Sequence, residues 1–207
     1  MPTAYDAVLL IAFGGPTAAH EVRPFLDNVT RGRPIPPERL EAVVHHYERI
    51  GGRSPLTELT FRQAQALEAV LRREGPALPV YVGMRNWTPY LRETVARMHA
   101  DGIRRAVGIV MAAHQTEASW GRYARDVATA RATVGERAPQ IDLSDGWYAR
   151  PLFVEAVSDR VAAAFAELSP ARREAAALVF TAHSVPVAMA DASPYVAQIA
   201  VSVRLVA

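Results

Sequence analysis

Short apolar runs bounded by turn residues recur along the chain at Ala7–Phe13, Val80–Met84, Ala106–Ala112, Ile141–Leu143 and Ala176–Thr181. Each is too short for a helix and most are rich in Val and Ile, so the pattern predicts about five buried strands. Between them, apolar positions recur on one helical face over Glu38–Ile50, Glu58–Arg73, Pro89–Ala100, Ser119–Val134 and Leu152–Leu168. Strands that alternate with amphipathic helices imply the α/β class, with Rossmann-like parallel sheets covered by helices on both faces. A domain boundary is expected between about Ser144 and Pro151, or just before the run at Ala176. The earlier choice gives a first domain over 1–150 and the beginning of a second over 151–207.

The final stretch departs from this pattern. Ser193 and Pro194 open a helix, YVAQIAVSVRLVA, that is apolar on nearly every side and carries one charge, Arg204. Such a helix needs cover, either from a partner or from a C-terminal region beyond the sequence.

Composition narrows the function classes. With 50% hydrophobic residues in 207, the chain can bury a sizeable core. The absence of cysteine excludes disulfides, a thiol nucleophile and thiolate metal sites, so a metal has only N and O ligands. Net charge is +2 with both signs interspersed, which does not suit nucleic acid. The first apolar run lacks a basic leader and ends at Gly14-Gly15-Pro16. No run reaches the ~18 apolar residues of a spanning helix, so a cytoplasmic protein without a transmembrane segment is expected.

In open parallel sheets, ligands bind beyond the carboxyl ends of the strands. Those positions hold Phe13-Gly14-Gly15-Pro16, Gly83-Met84-Arg85-Asn86-Trp87, His114-Gln115-Thr116-Glu117 and His183-Ser184-Val185-Pro186. Histidines, an arginine and several aromatics are therefore predicted on one rim. The G-x-G-x-x-G pattern is missing, which argues against a dinucleotide.

Taken in order, LLIAFGGP, RGRPIPPERLEAVVHHYERIGGRSPLTELTFRQAQALE, VYVGMRNWTPYLRE, MHADGI, FTAHSVP and DASPYVAQI resemble the successive blocks of the ferrochelatase family. Within it, the chain looks closer to bacterial enzymes for coproporphyrin III than to those for protoporphyrin IX. The resemblance implies a two-domain chelatase fold with a porphyrin cleft, of which the second domain is incomplete here. It also implies insertion of ferrous iron into the porphyrin in haem biosynthesis, with Fe²⁺ as substrate and no organic cofactor.

Residue by residue, the resemblance makes His183, in Ala182-His183-Ser184, the catalytic histidine and metal donor. An imidazole that titrates near neutrality can accept a pyrrole proton or ligate a borderline metal. Ser54 and Tyr123 match family positions that contact the porphyrin, and Phe13 would stack on the macrocycle where many coproporphyrin-type members carry tyrosine. Arg31 and Arg33 are candidates for pairing with the propionates. The family couples its histidine to a glutamate in a later block, which implies a chain that is C-terminally incomplete.

Read without the family, Ser54 is equally a helix cap, Tyr123 a core tyrosine, and His114 either a cleft residue or a cap. Two other functions compete: a non-catalytic tetrapyrrole-binding module that docks through its last helix, and a chelatase for cobalt or nickel.

Overall fold

The computed structural model describes residues 4–207. Its contacts divide the chain into two compact units. One runs to Met111 and resumes over Tyr123–Ser144; the other comprises Ala112–Arg122 and Asp145–Ala207.

The first unit is built on a parallel sheet of β1 (Ala7–Ala12), β2 (Val80–Met84), β3 (Arg105–Val110) and β4 (Gln140–Leu143), in the order β2-β1-β3-β4. Val8 stands opposite Val80 on one side and Val107 on the other. β1 is therefore paired along both edges, and none of its residues is more than 4% exposed. That explains a run of AVLLIA with no polar alternation, since both faces of a central parallel strand are covered.

Five helices accompany the sheet: α1 (Val22–Thr30), α2 (Pro37–Arg49), α3 (Leu56–Glu74), α4 (Leu91–Ala100) and α5 (Arg122–Val134). Ala64 of α3 packs with Val8, Leu10, Ala12, Val82 and Met84 in one buried cluster. On α4, the Thr94 hydroxyl donates to Val82 O at 2.8 Å and fixes the helix to β2. At the start of that helix the Glu93 side chain accepts from Tyr90 N at 3.0 Å, satisfying the donor at the N-cap. α1 was not expected from the sequence; its nine residues are too few for the periodicity to show, and Pro24 stands in its first turn, where no N–H is needed.

The second unit contains a π-helical turn at Glu117–Gly121, then α6 (Pro151–Ala166), α7 (Pro170–Glu174), α8 (Val187–Asp191) and α9 (Tyr195–Val206). α6 packs against α9. The strand expected at Ala176–Thr181 is not formed, and Val179 is 76% exposed. Its composition suits a strand, but a strand exists only when its N–H and C=O groups meet a neighbour, and among the described residues none pairs with it. The short α7, which begins at Pro170, and α8, which follows Pro186, were likewise unexpected. Among the described residues, no helix is long and apolar enough to cross a membrane.

Candidate functional site

The carboxyl end of β1 opens into a loop held from two sides. Gly14 has φ +83°, and a Cβ there would lie 3.1 Å from Trp87 N; a Cβ on Gly15 would lie 2.7 Å from Ser54 Cβ. The loop thus passes where side chains at these positions would collide, which is what the glycine pair provides. On one side, Ser54 N donates to Pro16 O at 2.8 Å and Thr57 Oγ1 to Gly15 O at 3.0 Å. On the other, Asn86 donates to Phe13 O from its backbone N at 3.0 Å and from Nδ2 at 3.2 Å.

Glu21 ties the two strand ends together. Its Oε2 accepts from Thr17 N (2.6 Å), Thr17 Oγ1 (2.9 Å) and Trp87 Nε1 (3.0 Å). Burial opposes its ionisation, but these hydrogen bonds outweigh burial and hold the carboxyl below its ordinary pKa. The sequence reading did not single out Glu21. The only signal for it was a carboxylate four residues after Thr17.

This frame presents Phe13, a residue that is 42% exposed. Behind it, Phe25 makes edge contacts with Phe13 at 6.2 Å, Trp87 at 6.0 Å and Tyr47 at 6.1 Å. An exposed aromatic residue backed by the buried Phe25 is a firm apolar surface against which a flat ligand can lie. Ser54 Oγ accepts from Leu56 N at 3.2 Å, so it caps α3, and its own O–H has no acceptor among the described residues. Arg31 is exposed and donates from Nη2 to Asn28 Oδ1 at 2.6 Å. Asn28 in turn donates to Tyr90 Oη at 2.6 Å and Asn86 O at 3.3 Å. Phe13, Ser54 and Arg31 are therefore linked around one loop.

Tyr123 lies on α5 and is 6% exposed. Burial pushes its hydroxyl up to about 12, with Arg85 opposing and Asp126 reinforcing the rise, so it stays protonated and able to donate at neutral pH. No described residue is hydrogen-bonded to that hydroxyl. Arg85, the residue after β2, holds its guanidinium carbon 5.9 Å from the Tyr123 ring centre and its Nε 3.2 Å from Asp126 Oδ2.

In the second unit, His183 is exposed, and its carbonyl accepts from Tyr195 Oη at 3.2 Å. Its ring has no partner among the described residues. It shares the lining of a cavity of about 320 Å³ with His114, Thr116, Ser119 and Tyr195. His114 is the more fixed of the two histidines: Nε2 lies 2.9 Å from Ser202 Oγ, and Tyr148 and Tyr195 flank the ring at 6.2 Å. Burial lowers its pKa and favours the neutral imidazole. The adjoining Gln115 and Gln198 exchange two bonds, Gln115 N to Gln198 Oε1 at 2.7 Å and Gln198 Nε2 to Gln115 Oε1 at 2.8 Å.

The family profile described as Ferrochelatase matches residues 5–207. The chain belongs to the ferrochelatase family. It is 45% identical over 207 residues to a protein named coproporphyrin III ferrochelatase from Mycolicibacterium smegmatis, covering 99% of this chain and 61% of that relative. A protein of the same name from Mycobacterium avium is 46% identical over 206 residues, covering 98% and 59%. Another from Mycobacterium ulcerans is 46% identical over 184 residues, covering 89% and 52%. The chain thus spans between 52% and 61% of the length of these ferrochelatase relatives. Among the described residues, no group of three or more His, Asp or Glu side chains is arranged to hold a metal ion.

Proposed function

We propose that this ferrochelatase-family chain inserts Fe²⁺ into coproporphyrin III. The observation that carries the reading is 45% identity across 99% of the chain to a protein named for that reaction. Insertion consumes Fe²⁺ and the free-base porphyrin and releases two pyrrole protons. Ser54, Tyr123 and Arg31 supply donors for the propionates, Phe13 faces the macrocycle, and His183 accepts a proton or takes the incoming metal as substrate. The accessible imidazole and the unspent hydroxyls of Ser54 and Tyr123 support these roles. The same reading places the chain in the cytoplasm, with a Rossmann-like domain over 1–150 and the beginning of a second over 151–207.

Anaerobic addition of Fe²⁺ to the chain with coproporphyrin III or protoporphyrin IX, followed by the Soret shift, tests the proposal. Metallation of coproporphyrin III is expected to be the faster, and His183→Ala is expected to slow it by about 100-fold or more, as for loss of a proton acceptor. Equal or faster metallation of protoporphyrin IX reassigns the substrate. No metallation of either porphyrin sinks the reading for this chain, and preference for Co²⁺ or Ni²⁺ in competition reassigns the metal.

A further inference from the structure

Arg85 is a partly buried cation of the first unit's rim, ion-paired with Asp126. Its backbone N–H donates to Ala12 O at 2.9 Å, so its origin is fixed to the central strand. Its side chain is only 23% exposed, yet no hydrogen bond joins its guanidinium to any described residue. Arginine does not deprotonate in proteins, so these N–H donors cannot be removed by titration. Asp126 serves the Nε side alone, and withdrawing the Nη donors from water without an acceptor is costly, so they mark a place where one belongs.

The surroundings state which acceptor. Arg85 lines a cavity of about 160 Å³ together with Arg92, Asp126, Thr129 and Thr133. Two cations against one carboxylate leave the lining net positive. The volume is well below the ~300 Å³ at which ordinary small-molecule pockets begin, so it admits a side arm and not a ring system. A guanidinium has two forked edges. Asp126 stands at the Nε side, 3.2 Å away, and the Tyr123 ring flanks the guanidinium at 5.9 Å. The edge formed by the two Nη atoms remains, with the geometry that accepts both oxygens of a carboxylate.

We propose that Arg85, aimed by Asp126, binds one carboxylate arm of the porphyrin. This rests on the porphyrin reading above and adds to it a role for Arg85, which stands in a motif block but is given no role by it or by the relatives' names. Asp126 is a positioning residue: it turns the guanidinium and offsets part of its charge without touching the ligand.

The test is a fluorescence titration of the full chain with coproporphyrin III and with its tetramethyl ester in mild detergent, since the ester keeps the macrocycle and lacks the carboxylates. Arg85→Gln is expected to weaken coproporphyrin III binding by about tenfold or more while leaving the ester unchanged, as for loss of a charge-assisted pair. Arg85→Lys keeps the charge without the fork and is expected to lose less than Arg85→Gln. Asp126→Asn should give a loss of a few-fold, again confined to the free acid. If Arg85→Gln does not fold, as judged by circular dichroism, the Lys and Asn variants carry the same comparison. Unchanged affinity for the free acid, or equal losses for acid and ester, overturns the inference alone. Absence of wild-type binding to both porphyrins overturns the proposed function together with it.

Discussion

The two units differ in what holds them. In the first, β1 is buried along its whole length between two partners, and its Val8, Leu10 and Ala12 share a core with α3 and β2. In the second, α6 has no fully buried residue, and the buried residue of α9 is Gln198, a polar one. One unit is ordered by apolar burial and the other by specific polar pairs: Gln115 with Gln198, His114 with Ser202, and Tyr195 with the His183 carbonyl. Apolar burial fixes how much free energy is gained, whereas directed hydrogen bonds fix which groups face each other.

The sharpest way to break that contrast is to truncate one aliphatic side chain in each unit. Leu10→Ala deletes a side chain 2% exposed and is expected to cost about 3 kcal/mol in urea denaturation, through lost transfer energy and a residual cavity. Val179→Ala, at 76% exposure, is expected to fall within about 0.5 kcal/mol of the parent. Comparable losses at both positions would show that the second unit has an apolar core of its own.

The same contrast explains what was legible in the sequence. AVLLIA reads as a buried strand because a central parallel strand leaves no face for polar residues, and the edge strand VYVGM and the third run were read from the same lack of polar alternation. Ala176–Thr181 has that composition too, but pairing is a non-local property that a string of residues cannot carry. At the candidate site, the glycine pair, Ser54 and His183 came from motif blocks. Arg85 stood in the block VYVGMRNWTPYLRE as an arginine of the predicted rim, but without a role. Glu21 and Asp126 did not stand out, because they act through partners distant in sequence: Glu21 reaches Trp87 and Asp126 reaches Arg85. Arg31, expected as a propionate partner, is engaged with Asn28 through Nη2, which the sequence had no means of showing.

A smaller effect sharpens the claim that polar pairing orders the second unit. Gln198→Leu preserves bulk on α9 and removes the acceptor of Gln115 N–H. The variant is expected to lose about 1–2 kcal/mol in thermal melting, the cost of an orphaned donor in a half-buried place. If apolar packing were the main support, leucine at this 6% exposed position would be neutral or stabilising.

The smallest effect concerns pH, and here the two units are expected to respond in different windows. Burial lowers the pKa of His114 below the ordinary 6.5, so under acid the unfolded chain takes up a proton before the folded one does. Its contribution is therefore complete above pH 6.5 and declines as pH falls below it. Glu21 responds at lower pH. Its folded pKa lies below the ordinary 4.5 because the bonds from Thr17 and Trp87 outweigh burial, so its contribution is complete above 4.5 and is lost as pH falls through the folded value. Each contribution is expected to be about 1 kcal/mol or less. Tryptophan provides a reporter for each unit: Trp87 donates to Glu21, while Trp120 donates to Ala112 O in the second unit. With Trp120 and Trp147 both changed to Phe, fluorescence at a fixed intermediate urea concentration follows Trp87 and should hold steady from pH 6.5 to 4.5. With Trp87→Phe, the remaining signal should begin to move in that interval. Coincident acid transitions in the two variants would mean that the units unfold as one, and the contrast between a burial-ordered unit and a pair-ordered unit would then describe local packing and not separate stabilities.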